Sequence, residues 1–272
     1  TAAAFTVCSA TAAPIVSSHV GAAATPAFPA PNGSSVVLYD QTDSPGTNGF
    51  PVQNFETAYD AYDSEGADDF VVPAGGWTID TVNLVTTTGT PAAQTASVNF
   101  YPDAAGLPGA TAACSYASAP ANVGAASTTI TLPAPCVLGT AGTYWVAVSV
   151  NQSFGSNGQI FWSTRTVQSN SPYAWRNPGD GFASGCTNWA GGAACGVGGG
   201  VDPDSLFQIV GVVGGGGGPA PVARELPTLS QWGLMLGAAG LALLGLFGVR
   251  RRATTAGARH VCGRDRRRAR RS

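Results

Sequence analysis

Alternation of apolar and polar residues recurs through the middle of the chain and predicts β-strands. The clearest case is the segment TYWVAVSV, residues 143–150, in which Tyr144 and three valines share one face of a strand. Trp145, Ala147 and Ser149 share the opposite face. A period of two is the period of a strand, so the valine face is expected to point into a core.

Similar short segments rich in Val, Ile, Thr and aromatic residues recur, separated by the turn-forming residues Gly, Pro, Asn and Asp. They read SVVLYD, DDFVV, WTIDTVNLVTT, ASVNFY, STTITL, QIFWST and SLFQIVGVV. No helical period extends over ten residues anywhere in this part of the chain. The predicted fold class is therefore all-β, an antiparallel and jelly-roll-like β-sandwich over residues 33–213, followed by a single C-terminal transmembrane helix.

The rest of the chain divides by composition. Residues 1–32 are rich in Ala, Thr and Pro and are predicted to be a disordered leader. Residues 214–225, which contain GGGGPAP, are predicted to be a flexible Gly/Pro-rich linker. Residues 226–252 are mostly apolar, and residues 253–272 form an Arg-rich tail that we expect to be cytoplasmic.

The apolar segment near the C-terminus has the length of a membrane span. Residues 229–249 contain no charged side chain, and as a helix they would extend about 31 Å, close to the ~30 Å hydrocarbon core of a bilayer. A buried amphipathic helix is the alternative, but the apolar residues surround the helix on all sides. A membrane stop follows at Arg250, Arg251 and Arg252. Basic flanks stay in the cytoplasm, which places the body of the protein outside it.

The residues that precede this span are more specific than a generic anchor. LPTLSQWG, then an apolar helix and an arginine cluster, resembles the IPTL-CTERM sorting signal of Gram-negative bacteria. The residues that carry the resemblance are Leu226, Pro227, Thr228, Leu229, Trp232 and Gly233. The first motif position is Leu rather than Ile. The resemblance implies recognition by an exosortase-type sorting enzyme in the membrane, and delivery of an inner-membrane-anchored precursor to the cell envelope or surface.

The body of the chain also resembles a kind of exported bacterial β-sandwich domain. The stretches that carry this second resemblance are LYDQTDSPG, ADDFVVPAGGWTIDTV, AGTYWVAVSV and NPGDGF with CGVGGGVDPDSLFQIVG. The resemblance implies a secreted or surface-located domain and names no activity.

Charge and cysteine content narrow the location and the partners. Between residues 33 and 211 there are 13 acidic residues against two arginines, a balance that repels phosphate and argues against a nucleic-acid partner. The four cysteines of this region form no CxxC pair and have no histidine near them in sequence, which favours disulfides in an oxidising compartment over zinc. Sequence order favours the pairs Cys114–Cys136 and Cys186–Cys195, and the other pairings remain open.

An acidic cluster is the candidate metal site. YDAYDSEGADDF carries five carboxylates on a Gly-containing stretch, and hard oxygen ligands of this kind suit Ca²⁺. The five residues are Asp60, Asp63, Glu65, Asp68 and Asp69. Asp202 and Asp204 would complete the site if the fold brought them near. The alternative is a solvated acidic loop.

Aromatic residues in turn-rich segments are the candidate ligand-stacking site. Tyr173 and Trp175 lie in the turn-rich segment SPYAWRNPGDG beside Arg176, and Trp189 lies between Cys186 and Cys195. Aromatic rings on loops at the end of a sandwich can stack on sugars, while polar neighbours supply hydrogen bonds. The alternative is that these rings pack beneath the loops and form a small satellite core.

The predicted sandwich contains few residues of the types that perform catalysis. The two histidines, His19 and His260, lie outside the predicted sandwich, so a Ser-His-Asp or Cys-His arrangement cannot be built within it. A paired-carboxylate glycan hydrolase remains as a third hypothesis. The sequence favours a non-enzymatic exported module for display, adhesion or matrix building. A Ca²⁺-dependent module that binds surface glycans is the second hypothesis.

Overall fold

A computed structural model of the chain describes residues 13–19 and 27–214. Several predictions lie outside these residues: the linker beyond residue 214, the sorting motif Leu226–Gly233, the apolar span, the arginines at 250–252, the Arg-rich tail and most of the leader. Within the described ranges, no helix has both the length and the apolar character needed to span a bilayer.

Strands dominate the described chain, and only three short helical segments accompany them. The strands are β1 Ser18–His19, β2 Val36–Asp40, β3 Pro45–Pro51, β4 Gln53–Asn54, β5 Glu65–Val72, β6 Trp77–Thr87, β7 Ala92–Pro102, β8 Cys114–Val123, β9 Ser127–Leu138, β10 Gly142–Asn151, β11 Phe161–Arg165, β12 Ala174–Arg176, β13 Ala190–Gly191, β14 Asp204–Ser205 and β15 Phe207–Val213. The helical segments are α1 Phe154–Asn157 and two 3₁₀ turns, Thr57–Tyr62 and Gly198–Gly200.

Eight of the strands form two antiparallel groups of four. One group runs in the order β2-β15-β6-β9, and the other in the order β5-β10-β7-β8. Because β8 also pairs with β9, the two groups belong to one continuous sheet that curls back on itself. β3 and β11 extend the first group through β6, and β12 and β13 extend the second through β5. The prediction of an all-β, antiparallel domain is confirmed.

The main core lies between the inner faces of the curled sheet. Phe70 from β5 stacks on Trp77 from β6 with ring centroids 5.9 Å apart, so the two groups touch directly. In β10 the three valines of the alternating segment are fully buried in this core, as the sequence pattern predicts. Trp162 of β11 meets Phe207 of β15 edge to face at 5.9 Å. Burying such rings is the main source of folding free energy in a domain of this size.

Both predicted disulfides are present. Cys114 and Cys136 join β8 to β9 with their Cα atoms 5.9 Å apart, and Cys136 is fully buried in the core. The β8–β9 hairpin is therefore closed by its turn at one end and by a covalent bond at the other. Cys186 and Cys195 close a short loop with Cα atoms 5.8 Å apart.

The leader prediction is wrong for residues 13–19. Ser18 and His19 form β1, which pairs with β3 opposite Gly49 and Asn48. Val16 packs against the main core, and Pro14 is buried. The short apolar run PIV within an otherwise low-complexity segment is the feature that permits this docking, because buried apolar area offsets the entropy lost on ordering.

Candidate functional site

The outer face of β5, β10 and β12 carries a row of three alanines. Ala147 lies opposite Ala67, and Ala67 lies opposite Ala174, so the three side chains form one row across three strands. All three are fully buried, and the side chains of Tyr101, Leu107 and Trp189 pack over them. Because a methyl group is the smallest side chain with a Cβ, this row lets the larger side chains pack down closely onto the sheet.

The Cys186–Cys195 loop brings Trp189 over this row of alanines. β13 pairs with β12 through Ala190 opposite Trp175, which fixes the loop against the edge of the sheet. Gly192 lies directly on the ring of Tyr173, where even a Cβ would collide, so the loop can close over that ring only with glycine. The disulfide and the glycine together hold Trp189 in a partly exposed position above the sheet.

Trp189 is surrounded by groups that fix its ring. The guanidinium carbon of Arg176 lies 4.3 Å from the centre of the indole, a cation–π distance. The ring of Tyr101 lies edge-on to Trp189, with centroids 6.4 Å apart. Burial raises the pKa of Tyr101, so its phenol remains protonated at neutral pH and can donate a hydrogen bond.

A chain of hydrogen bonds fixes Arg176 in turn. Its Nε donates to Glu65 Oε2 at 2.9 Å, and the amide of Asn99 donates to the other oxygen of Glu65 at 3.1 Å. Ser115 donates to the Asn99 carbonyl oxygen. The guanidinium charge is thereby paired with a carboxylate, and the polar side chains beside Trp189 are held in place before any ligand arrives.

A second loop, residues 103–110, lies across from Trp189, and a groove lies between this loop and Trp189. Asp103 accepts a hydrogen bond from the indole N–H of the buried Trp145 at 2.9 Å and another from the backbone of Gly106. The resulting groove has a volume of about 390 Å³. It is bordered by Tyr101, Leu107, Pro108, Arg176, Asn188 and Trp189. Its size falls in the range of sites that hold small organic ligands.

The five carboxylates of the predicted calcium site do not converge. Asp60 lies on the 3₁₀ turn Thr57–Tyr62, and Asp63 accepts a backbone hydrogen bond from Phe55. Glu65 binds Arg176 on the outer face. In the described part of the chain no three acidic, His or Cys side chains are grouped as a metal site would require. The prediction of a shared calcium site is wrong because Asp68 and Asp69 are adjacent in a strand and point to opposite faces.

Asp68 instead belongs to a buried polar network on the inner side. It is fully buried and accepts hydrogen bonds from Gln41 Nε2 at 2.9 Å and from the backbone and hydroxyl of Ser205, both at 2.7 Å. Burial, together with the nearby charge of Asp204, raises the pKa of Asp68 well above its usual range.

Asp204 and Asp69 lie next to this network. Burial raises the pKa of Asp204 to about 6, although Arg165 lies 3.5 Å away and favours its charged form. Asp69 accepts a hydrogen bond from the backbone of Ser171, and burial raises its pKa also. The backbone N–H of Ser169 donates to Asp204, so a single short loop holds both carboxylates.

Two of the three predicted stacking aromatics are core residues. Tyr173 and Trp175 are almost completely buried, and Tyr173 stacks on Phe50 with ring centroids 4.3 Å apart. The indole of Trp175 donates to the carbonyl oxygen of Pro51 at 2.8 Å. Both rings point inward because Ala174 between them occupies the outer face of β12. The ligand-stacking prediction is therefore wrong for Tyr173 and Trp175, while Trp189 remains available at the groove.

Sequence reasoning missed Tyr101, which borders the groove, and Asn99 and Asp103, whose hydrogen bonds to Glu65 and Trp145 support the residues around it. A signal for the first two was present in the segment SVNFYP, where Val98 and Phe100 alternate with Asn99 and Tyr101. That alternation assigns the polar pair to the outer face. It does not show that the loop around Trp189 covers the same face.

Comparisons with known proteins add little to this picture. No protein-family model and no curated protein matches the chain. Among solved structures, the chain is similar to that of the cysteine protease and lectin-like domains of Cwp84, a surface layer associated protein of Clostridium difficile. The TM-score is 0.43 at 10% sequence identity, over 66% of this chain and 36% of that chain. The chain thus spans about a third of that structure, and a likeness of this extent carries no functional argument.

Proposed function

We propose that this protein is an exported, non-enzymatic surface module that binds carbohydrate in the groove between Trp189 and Tyr101. The observation that carries the proposal is a partly exposed indole held in one position by a disulfide loop and by a guanidinium group. Fixed aromatic rings suit sugars, because the C–H groups on the apolar face of a pyranose meet the electron-rich face of the ring.

The polar groups beside the ring suit hydroxyl groups rather than charged ones. Arg176 is already paired with Glu65, so the pair contributes little net charge to the groove. Asn188 is exposed, and Tyr101 offers a neutral phenol. Groups of this kind donate and accept single hydrogen bonds, which is the pattern that a neutral hexose or pentose requires.

The location part of the proposal depends on different residues. Two disulfides support an oxidising compartment and hence export. The strand orders β2-β15-β6-β9 and β5-β10-β7-β8 support the jelly-roll assignment, an architecture common among carbohydrate-binding domains. Anchoring by the apolar span, processing by an exosortase-type enzyme and display on a Gram-negative cell surface remain part of the proposal on sequence grounds alone.

A glycan array followed by calorimetric titration of the best neutral glycan tests the proposal. Trp189→Ala is expected to weaken binding by about tenfold or more, since an aromatic stacking contact contributes on the order of 1 kcal/mol beyond its buried area. Trp189→Phe should retain part of the affinity. Because the predicted calcium site is not formed, EDTA should leave binding unchanged.

The matched control is Thr129→Ala. Thr129 lines a second groove, of about 410 Å³, on strands β6 and β9. Its substitution should not alter glycan binding. If no glycan binds, or if Trp189→Ala binds as well as the parent protein, the proposal fails. Release of reducing sugar that disappears in a Glu65→Gln variant would instead favour the hydrolase hypothesis.

A further inference from the structure

Residues 13–19 occupy a site on the domain that binds an extended segment through its backbone. The N–H of Ile15 donates to Gln159 Oε1 at 2.9 Å, and Gln159 Nε2 donates to the Ile15 carbonyl oxygen at 2.8 Å. One side-chain amide therefore makes the same pair of hydrogen bonds that a neighbouring strand would make. Gln159 is itself buried, so its amide belongs to the interior of the domain.

The side chains of residues 14–16 alternate between buried and exposed, as they do in a strand at the edge of a sheet. Pro14 is buried and Val16 packs against the main core, whereas Ile15 between them is 54% exposed. Beyond Val16, Ser18 and His19 pair with β3 in antiparallel register. The site thus combines two backbone hydrogen bonds, two apolar contacts and a short β-ladder, which is the pattern of strand addition to a sheet edge.

Residues 20–26 connect the segment to the rest of the domain along the chain. Every contact just described is made by residues 13–19, so a second copy of the chain can supply the same contacts without any new interface. Exchange of an identical element between copies is a route to assembly that needs little additional free energy. Among the described strands, β1 is the neighbour of β3 on this side of the sheet, so an exchanged segment would meet the same two residues, Asn48 and Gly49.

We infer that the β3 edge and Gln159 form an acceptor for residues 13–19 of a second copy of this chain, and that this exchange joins copies to one another. In dilute solution the chain's own segment fills the acceptor, since a short connection gives an effective concentration on the order of millimolar. Exchange between copies prevails where the local concentration of the chain approaches that value, as on a densely covered surface. The inference does not depend on glycan binding.

Two full-length variants separate the donor from the acceptor. Ile15→Pro removes the backbone N–H that donates to Gln159 and alters an exposed side chain, so it disables the donor segment. Gln159→Leu removes both hydrogen bonds and so disables the acceptor. Mixing the two variants leaves one intact donor and one intact acceptor, and a 1:1 complex is expected in size-exclusion chromatography with light scattering. Either variant alone should remain a monomer, and Ile15→Ala, which retains the N–H, should behave as the parent protein.

A labelled peptide of residues 13–19 gives the second measurement, by fluorescence anisotropy. It should bind the Ile15→Pro chain at least tenfold more tightly than either the parent chain, whose acceptor is filled, or the Gln159→Leu chain. A peptide of scrambled sequence is the control. If a variant does not fold by circular dichroism, recovery of the folded signal on adding the peptide supports the inference for Ile15→Pro. Absence of the mixed complex, or equal binding of the peptide to the Ile15→Pro and Gln159→Leu chains, overturns it.

Discussion

The two faces of strands β5 and β10 are both buried, but by different parts of the molecule. The inner face meets β6 and β15 across the curled sheet, through large rings such as Phe70. The outer face presents three alanines and Trp145, and they are covered by Tyr101 of β7 and by side chains from two loops. The inner face is thus a core that the whole fold creates, whereas the outer face is a local core that depends on residues 103–110 and 186–195. A binding site on the outer face can change or be lost while the fold persists.

The largest effect on stability should come from the inner face. Trp175→Ala removes a fully buried ring and its hydrogen bond to Pro51, and it should lower the free energy of unfolding by about 3–5 kcal/mol. Trp189→Ala on the outer face should lower it by no more than about 1 kcal/mol. Chemical denaturation of both variants measures the difference. Equal losses would mean that the outer face is not a separable core.

Removing each of the two disulfides should lower stability, but only one of the two removals should also abolish glycan binding. In the chain-entropy description, replacing both cysteines of Cys114–Cys136 by alanine should cost about 3.5 kcal/mol, and the shorter Cys186–Cys195 loop about 2.5 kcal/mol. Only the second replacement releases the loop that carries Trp189. We therefore expect glycan binding to survive the first replacement, at temperatures where the domain stays folded, and to disappear in the second. The reverse result in calorimetric titration would place the ligand elsewhere.

A smaller effect, visible as a pH dependence, should come from the buried acids. Because the pKa of Asp204 is raised to about 6 in the folded state, folding takes up a proton between about pH 4 and pH 6. The contribution of Asp204 to stability is therefore fully present below its unfolded pKa and is lost as the pH rises through its folded pKa. Asp204→Asn should remove this decline, so the melting temperatures of variant and parent should diverge between pH 4 and pH 7, the parent falling relative to the variant.

Asp43→Asn is the control with the opposite sign. Its hydrogen bond to Arg165 lowers the pKa of the exposed Asp43, so its contribution is present above the unfolded pKa and is lost as the pH falls. The change should be slight, because the carboxylate is mostly exposed and screened by solvent. A parent protein whose stability does not change between pH 4 and pH 7, relative to Asp204→Asn, would contradict the assignment.

The features that could be predicted from the sequence are those that depend on residues close to one another along the chain. Alternation in residues 143–150 identified the core valines of β10, and the order of the cysteines favoured both disulfides that the structure contains. Each of these inferences requires only the period of a strand or the proximity of two positions in sequence. The antiparallel all-β fold follows from the same kind of information.

The candidate site depends on information of another kind. Glu65, Asp68 and Asp69 look like one cluster in sequence, but a strand period of two separates them, and the partners that decide their roles are Arg176 and Ser205, more than a hundred residues away. Trp175 and Trp189 look equivalent in sequence, yet only the pairing of β12 with β5 shows that one faces the core. Register and strand order therefore decide the site, and neither can be read from local pattern alone.

The bond between Cys114 and Cys136 has a consequence for the exported protein that we propose. Extracellular proteases cut exposed turns, and the turn at residues 124–126 is one of them. A cut anywhere between the two cysteines leaves both fragments covalently attached, each still hydrogen-bonded to its neighbouring strand. The hairpin can thus be nicked without shedding either half, and the damage would show on a gel only after reduction.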